Sequence, residues 1–250
     1  MSFKVYIPAR YDSTRLPGKA LAELAGKPLI EHVHARALES GAAEVVIATD
    51  DARIARVAEA FGAQVCMTAN THQSGSERLA EAVRLRGESE DAVIVNLQGD
   101  EPFMPAAVIR QVADCLRQGA GLEMASVCEP LRDLAEWRDP NVVKVVRDAA
   151  DHALYFSRAP IPWPRDDQTT LPQTRDYRRH VGLYAYRAGF LQRFVAWPAA
   201  ALEQLEKLEQ LRALAHGARI LVVDAAAACG VGVDTPEDLT RAREHVARSR

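Results

Sequence analysis

The chain has 250 residues, a formal net charge of −3 and 48% hydrophobic residues, enough for one large domain with a well-filled core. The near-neutral charge argues against a nucleic-acid partner, no apolar run approaches the length needed for membrane insertion, and the start, Met1-Ser2-Phe3-Lys4, is not a signal peptide. Cys66, Cys115, Cys128 and Cys229 are scattered with no C-x-x-C pair, so buried free thiols and a cytoplasmic location are expected rather than a zinc site or a disulfide framework.

In chain order, the apolar residues 5–7 read as a buried first strand. The loop that follows, residues 8–19, carries Arg10, Arg15 and Lys19 together with the hydroxyls of Ser13 and Thr14. Three cations on one short loop repel each other unless an anion sits among them. A polyphosphate is the natural candidate, and the loop after a first strand of an open α/β sheet is where ligands bind. It is not a Walker A loop, because Gly18-Lys19 is followed by Ala20 and the earlier glycine is missing. Helices are predicted over 28–40, 51–61, 76–86 and 105–117, the first three stopped by Gly41, Gly62 and Gly87. Strands are predicted between them over 44–48, 64–67, 92–97 and 124–128. The alternation implies an α/β fold, a Rossmann-like three-layer arrangement around a mostly parallel sheet.

The pattern then changes. Residues 142–146 and 153–156 lie too close for a helical crossover and suit an antiparallel hairpin. Prolines 160, 162 and 164 stiffen the next segment, and a polar stretch over 165–179 is expected to be mobile. A strand is predicted over 181–186, helices over 190–197 and 202–216, a strand over 219–223, and a closing helix over 235–246 with Pro236 in its first turn. One domain spanning 1–250 is expected, with 140–187 as a hairpin extension. The apolar hairpin needs covering, for which a homodimer interface is a natural cover.

Four further stretches carry chemistry. Gln98-Gly99-Asp100-Glu101-Pro102 follows the most apolar strand, so Asp100 falls at the carboxyl edge of the sheet beside the cationic loop, as a hard oxygen ligand for Mg²⁺. In Gly232-Val233-Asp234-Thr235-Pro236-Glu237-Asp238, Thr235 and Asp238 suit a helix cap. Asp234 is left without a local duty in that cap, and reads either as a ligand sharing a metal with Asp100 or simply as a helix-start acid. His72-Gln73-Ser74-Gly75-Ser76-Glu77-Arg78 opens a helix that either Ser74 or Ser76 can cap, and its free amides and Arg78 can meet a base carbonyl or an anion. His180, Tyr184 and Tyr186 share one strand face by parity, which suits sugar hydroxyls or an ordinary half-buried strand. Glu209, by itself, reads as a solvated helix charge.

Together these motifs resemble the CMP-KDO synthetase family, whose members are 3-deoxy-manno-octulosonate (KDO) cytidylyltransferases. The resemblance rests on the 7–19 loop, His72-Gln73-Ser74-Gly75 with Glu77-Arg78-Leu79, and Gln98-Gly99-Asp100-Glu101-Pro102. It continues through Tyr155-Phe156-Ser157-Arg158-Ala159, His180 with Gly182-Leu183-Tyr184, Leu208-Glu209-Gln210-Leu211-Arg212, and Gly232 to Asp238. Departures fall at Asp12, Ala20 and the 165–179 segment. The resemblance implies a nucleotide-diphospho-sugar transferase fold, a homodimer, and the reaction of CTP with KDO to give CMP-KDO and pyrophosphate for lipopolysaccharide synthesis. By position it puts Arg10, Ser13, Arg15 and Lys19 on the triphosphate, and Ala9, Ser74, Gly75 and Arg78 around the cytosine. It puts magnesium on Asp100 and Asp234, and the sugar on Gln98, His180, Tyr184 and Glu209, with Arg158 or Arg165 for its carboxylate. Lys19, Asp100 and Asp234 are then the catalytic group. The nearest alternative is a cytidylyltransferase for another acid sugar such as sialic acid. A catalytically silent nucleotide-sugar sensor is a second. A dinucleotide oxidoreductase is disfavoured by the missing G-x-G-x-x-G.

Overall fold

The first apolar run folds as β1 (Phe3–Ala9), with Val5 and Ile7 turned to one side of the sheet and Tyr6 to the other. In this computed structural model residues 2–13, 15–119, 121–167, 169–170 and 174–248 are described, so Thr14 of the first loop lies outside them. A single 3-10 turn (Lys19–Leu21) and a small hairpin, β2 (Glu23–Leu24) and β3 (Lys27–Pro28), lead into α1 (Leu29–Glu39). Then come β4 (Glu44–Thr49), α2 (Ala52–Ala60), β5 (Gln64–Met67), α3 (Gly75–Leu85), β6 (Val93–Asn96), α4 (Ala106–Gln118) and β7 (Met124–Pro130). A short α5 (Leu134–Arg138) precedes the hairpin β8 (Lys144–Arg147) and β9 (Ala153–Ser157). The chain closes with β10 (Arg178–Arg187), α6 (Ala188–Ala196), α7 (Ala201–Glu206), α8 (Gln210–Ala215), β11 (Ile220–Asp224) and α9 (Pro236–Arg248).

The main sheet runs β11-β7-β10-β6-β1-β4-β5, with the β8–β9 hairpin attached to the start of β10. Along that path β1, β4, β5 and β6 are mutually parallel, and β7 and β11 run the same way; β10 alone is reversed. Apolar residues of α1, α2 and α4 cover one face and those of α3, α6 and α8 the other. This is the three-layer, mostly parallel arrangement that strand–helix alternation implies. Because Tyr184 pairs with Asn96, the last residue of β6, the reversed strand carries His180 and Tyr184 toward the carboxyl edge where the loops after β1 and β6 emerge.

Some elements differ from the sequence reading. The helix predicted over 202–216 is two helices, broken where Lys207 adopts φ 54°. The two parts answer to different surroundings: α7 has no buried residue, and its Leu202 and Leu205 are exposed, whereas Leu208, Gln210 and Leu211 turn into the core. Pro28 stands ahead of α1 rather than inside it. In the 165–179 segment, residues 168 and 171–173 lie outside the described residues, and Arg178 and Arg179 already belong to β10, paired with both β7 and β8. Strand pairing on two sides overrides the polar composition there.

Candidate active site

The loop after β1 is braced by its own backbone. The Tyr11 carbonyl accepts from the amides of Ser13 (2.9 Å) and Gly18 (3.0 Å), and the Arg53 guanidinium of α2 lies 3.3 Å over the Tyr11 ring. Gly18 has φ 68°, where a side chain is strained, and a Cβ there would sit tightly against that ring at 3.3 Å, so glycine suits the position on both counts. The loop after β6 comes equally close, since a Cβ on Gly99 would stand 2.9 Å from the Pro8 carbonyl. This approach brings Asp100 beside the cationic loop.

Lys19 joins the two ends of the chain. Its Nζ donates to Asp100 Oδ2 at 2.5 Å and to Asp234 Oδ1 at 2.8 Å, and Arg15 reaches the other Asp234 oxygen at 3.1 Å. Asp234 is free to do this because the α9 cap is made by others: Thr235 Oγ1 accepts from the Asp238 amide, and Asp238 Oδ2 accepts from the amides of Asp234 and Thr235. Burial raises the Asp100 pKa above the ordinary carboxylate value despite the ammonium beside it. For Asp234, burial works upward but the hydrogen bond from Lys19 and the nearby Arg15 outweigh it, and the pKa is lowered. Burial lowers and the two carboxylates raise the Lys19 pKa, with a net rise. Behind them, burial and the neighbouring aspartates push the Glu101 carboxyl up to about 8, and its buried Oε2 has no partner among the described residues.

A cavity of about 310 Å³ opens over this cluster. Its lining includes eleven of the residues singled out from sequence: Ala9, Arg10, Ser13, Arg15, Lys19, Ser74, Gly75, Arg78, Gln98, Asp100 and Asp234. Ser74, not Ser76, caps α3, accepting from the Glu77 amide at 3.2 Å. Arg78 is held from outside the cavity, giving Nη2 to Asp50 Oδ2 at 2.8 Å and Nη1 to Thr68 Oγ1 at 2.6 Å.

The remaining candidates sit elsewhere. His180 and Tyr184 line a second cleft with Asn141, Val143, Leu208 and Gln210. Their rings lie 5.3 Å apart and Tyr186 continues the row, as parity predicted. Burial brings the His180 pKa down to about 3, so the ring is neutral. Glu209 is not a solvated charge: it accepts from Ser74 Oγ and Ser76 Oγ, each at 2.7 Å. Its carboxylate therefore touches the cap that lines the first cavity, while its chain neighbours line the second cleft. Arg158 gives Nε to the Glu206 carbonyl at 2.7 Å and Nη1 to the Pro140 carbonyl at 2.9 Å, tied into the hairpin base. Arg165 is exposed. Sequence reading missed Asp50 and Thr68; the place of Asp50 just past the end of β4 is the signal that could have found it.

Among the described residues no group of three or more His, Cys, Asp or Glu side chains converges as a metal cage. Two carboxylates meeting on one ammonium are a different case. A cation already sits between them, and Mg²⁺ is commonly held by one or two carboxylates with substrate phosphates completing the shell. The donor set therefore fits a divalent cation that arrives with a triphosphate.

A family profile described as Cytidylyltransferase matches residues 5–220. The chain is 52% identical over 251 residues to 3-deoxy-manno-octulosonate cytidylyltransferase 1 of Hydrogenovibrio crunogenus, covering 99% of this chain and 97% of that protein. It is 54% identical over 248 residues to 3-deoxy-manno-octulosonate cytidylyltransferase of Idiomarina loihiensis, covering 98% of each. A solved structure of CMP:2-keto-3-deoxy-manno-octonic acid synthetase complexed with CTP superposes with a TM-score of 0.92 at 41% identity, over 100% of both chains. 4-Diphosphocytidyl-2C-methyl-D-erythritol synthase superposes with a TM-score of 0.63 at 17% identity and shares the fold.

Proposed function

The chain belongs to the cytidylyltransferase family, and from that premise we propose that it activates KDO with CTP, giving CMP-KDO and pyrophosphate for lipopolysaccharide assembly. The observation that carries the reading is the convergence of Asp100 and Asp234, 134 positions apart in the chain, on the Lys19 ammonium beneath a cavity lined by Arg10 and Arg15. Similarity over the whole length to KDO cytidylyltransferases supports the choice of sugar.

In this reading the triphosphate lies against Arg10, Ser13, Arg15 and Lys19, and the cytosine against Ala9, Ser74, Gly75 and Arg78. The sugar approaches from the side of Gln98, Glu209, His180 and Tyr184, and either Arg158 or Arg165 meets its carboxylate. The anomeric hydroxyl attacks the α-phosphorus in line with the α–β bridge. A phosphorus–oxygen bond to the sugar forms as the bridging bond breaks, the hydroxyl proton passes to solvent, and pyrophosphate leaves. No covalent enzyme intermediate is involved. Arg10, Arg15 and Lys19 neutralise charge on the departing pyrophosphate. Asp100 and Asp234 are the residues that would hold Mg²⁺, whose chemistry is to acidify the attacking hydroxyl and polarise the phosphate oxygens. Raised by its carboxylate partners, the Lys19 pKa keeps the side chain a cation at neutral pH.

The whole chain works as one nucleotidyltransferase domain, with 140–187 serving the sugar and a homodimer interface, in the cytoplasm where CTP is available. No helix of the described residues is long and apolar enough to cross a membrane. A panel of acid sugars with CTP and Mg²⁺, read by pyrophosphate release, tests the assignment. KDO is expected to give the highest kcat/KM by at least about tenfold, the value of one or two well-placed polar contacts. Preference for sialic acid moves the chain to the neighbouring activity, and no release with any sugar at saturating CTP makes it a silent sensor.

A further inference from the structure

Behind the second cleft, a buried serine holds the ring of His180. Ser126, on β7 and fully buried, places its Oγ 2.9 Å from His180 Nε2, 2.8 Å from the Leu183 carbonyl and 3.3 Å from the Val181 carbonyl. Two carbonyls reach one hydroxyl because β10 bulges opposite Ser126. Val181 pairs with Val127 and Tyr184 with Ser126 itself, so residues 182 and 183 have no counterpart on β7. Gly182, within that bulge, and His180, just before it, both line the cleft.

A serine hydroxyl has one proton and two lone pairs, and a carbonyl can only accept. The Ser126 proton is taken by the nearer carbonyl, that of Leu183, and toward His180 the oxygen can then only accept. If Ser126 instead donated to Nε2, the Leu183 carbonyl would lose its hydroxyl donor in a dry setting, a bias on the order of tenfold or more against that arrangement. The Phe156 and Tyr184 rings, 4.9 and 5.3 Å from the imidazole centre, fix its plane. Nδ1 has no hydrogen-bond partner among the described residues.

We propose that Ser126 is a positioning residue that fixes His180 as the neutral Nε2–H tautomer, so that Nδ1 presents a lone pair to the cleft and accepts a hydroxyl proton from the acid sugar. This rests on the cleft being the sugar's place, and it narrows what His180 recognises. A ring whose proton is turned away from the ligand repels a carboxylate and selects a hydroxyl, leaving the sugar's carboxylate to arginine. Burial, which holds the ring neutral, agrees.

A long-range ¹H–¹⁵N correlation spectrum of the full-length ¹⁵N-labelled protein at neutral pH reads the tautomer directly, with His180 assigned among the seven histidines by comparison with His180→Gln. The expected wild-type pattern is Nε2–H. In Ser126→Ala the pattern should become mixed or Nδ1–H, the KM for KDO should rise about tenfold as one hydrogen bond to the sugar is lost, and the KM for CTP should stay unchanged. An Nδ1–H or imidazolium pattern in the wild type overturns the proposal, and so does a Ser126→Ala spectrum identical to it. The wild-type spectrum decides even if the variant fails to fold. A tautomer that moves as expected while the KM for KDO does not change removes the sugar from the cleft, a failure of the functional reading distinct from that of the Ser126–His180 pair.

Discussion

Arg10, Arg15 and Lys19 could be read as an anion site because like charges on one loop need a counter-ion, whatever the fold. Asp100 could be placed at the carboxyl edge from the α/β pattern, and Asp234 could be read as its partner because the cap of the closing helix left it without a local duty. What holds these side chains was not legible. Arg78 needs Asp50 and Thr68, and Glu209 needs Ser74 and Ser76, contacts between elements that no local spacing encodes. Burial of His180 has a consequence for stability that belongs to this residue. Its folded pKa, about 3, lies below the ordinary 6.5, so its contribution is present above pH 6.5 and is lost as pH falls toward 3, because the unfolded chain takes up the proton first. Between pH 6 and pH 4 the wild type should lose about 1.4 kcal/mol of unfolding free energy per pH unit more than His180→Gln. Urea unfolding across that range measures it, and parallel curves for the two proteins would contradict the buried neutral ring.

Among the elements, the parallel strands and the helices of the first half were legible because each alternates between a core face and its own stop signal: Gly41 and Gly62 take positive φ just past α1 and α2. The 202–216 helix was misread because periodicity cannot see that Lys207 leaves the helix so that Leu208 and Glu209 can turn inward. The β8–β9 hairpin was legible from its spacing, but not what anchors it. Lys144 is fully buried, and its ammonium donates to the carbonyls of Asp139 (2.8 Å), Val142 (2.5 Å) and Arg158 (2.7 Å). This one side chain ties α5, β8 and the end of β9 together. Lys144→Met removes the ammonium donor from three half-buried carbonyls, of which that of Asp139 keeps the Val142 amide at 3.1 Å, and should cost about 2 kcal/mol or more in denaturant unfolding. A cost below about 1 kcal/mol would mean that the carbonyls find other donors.

For the molecule as a whole, the doubly wound sheet gathers residues from the first and last parts of the chain at one edge, while the hairpin side leaves Leu154 and Trp163 62% and 57% exposed. Such apolar exposure fits the proposed homodimer. Leu154→Glu should shift sedimentation toward the monomer, and an unchanged dimer would place the interface elsewhere. The central claim is that Asp100 and Asp234 act as a single cation-holding unit. A double-mutant cycle on pyrophosphate release tests it most directly. Asp100→Asn and Asp234→Asn should each lower kcat by about 10²-fold or more, and the double variant should be little worse than the weaker single, because residues acting as one unit are non-additive. Losses that multiply, or near-normal turnover in Asp100→Asn, would contradict it.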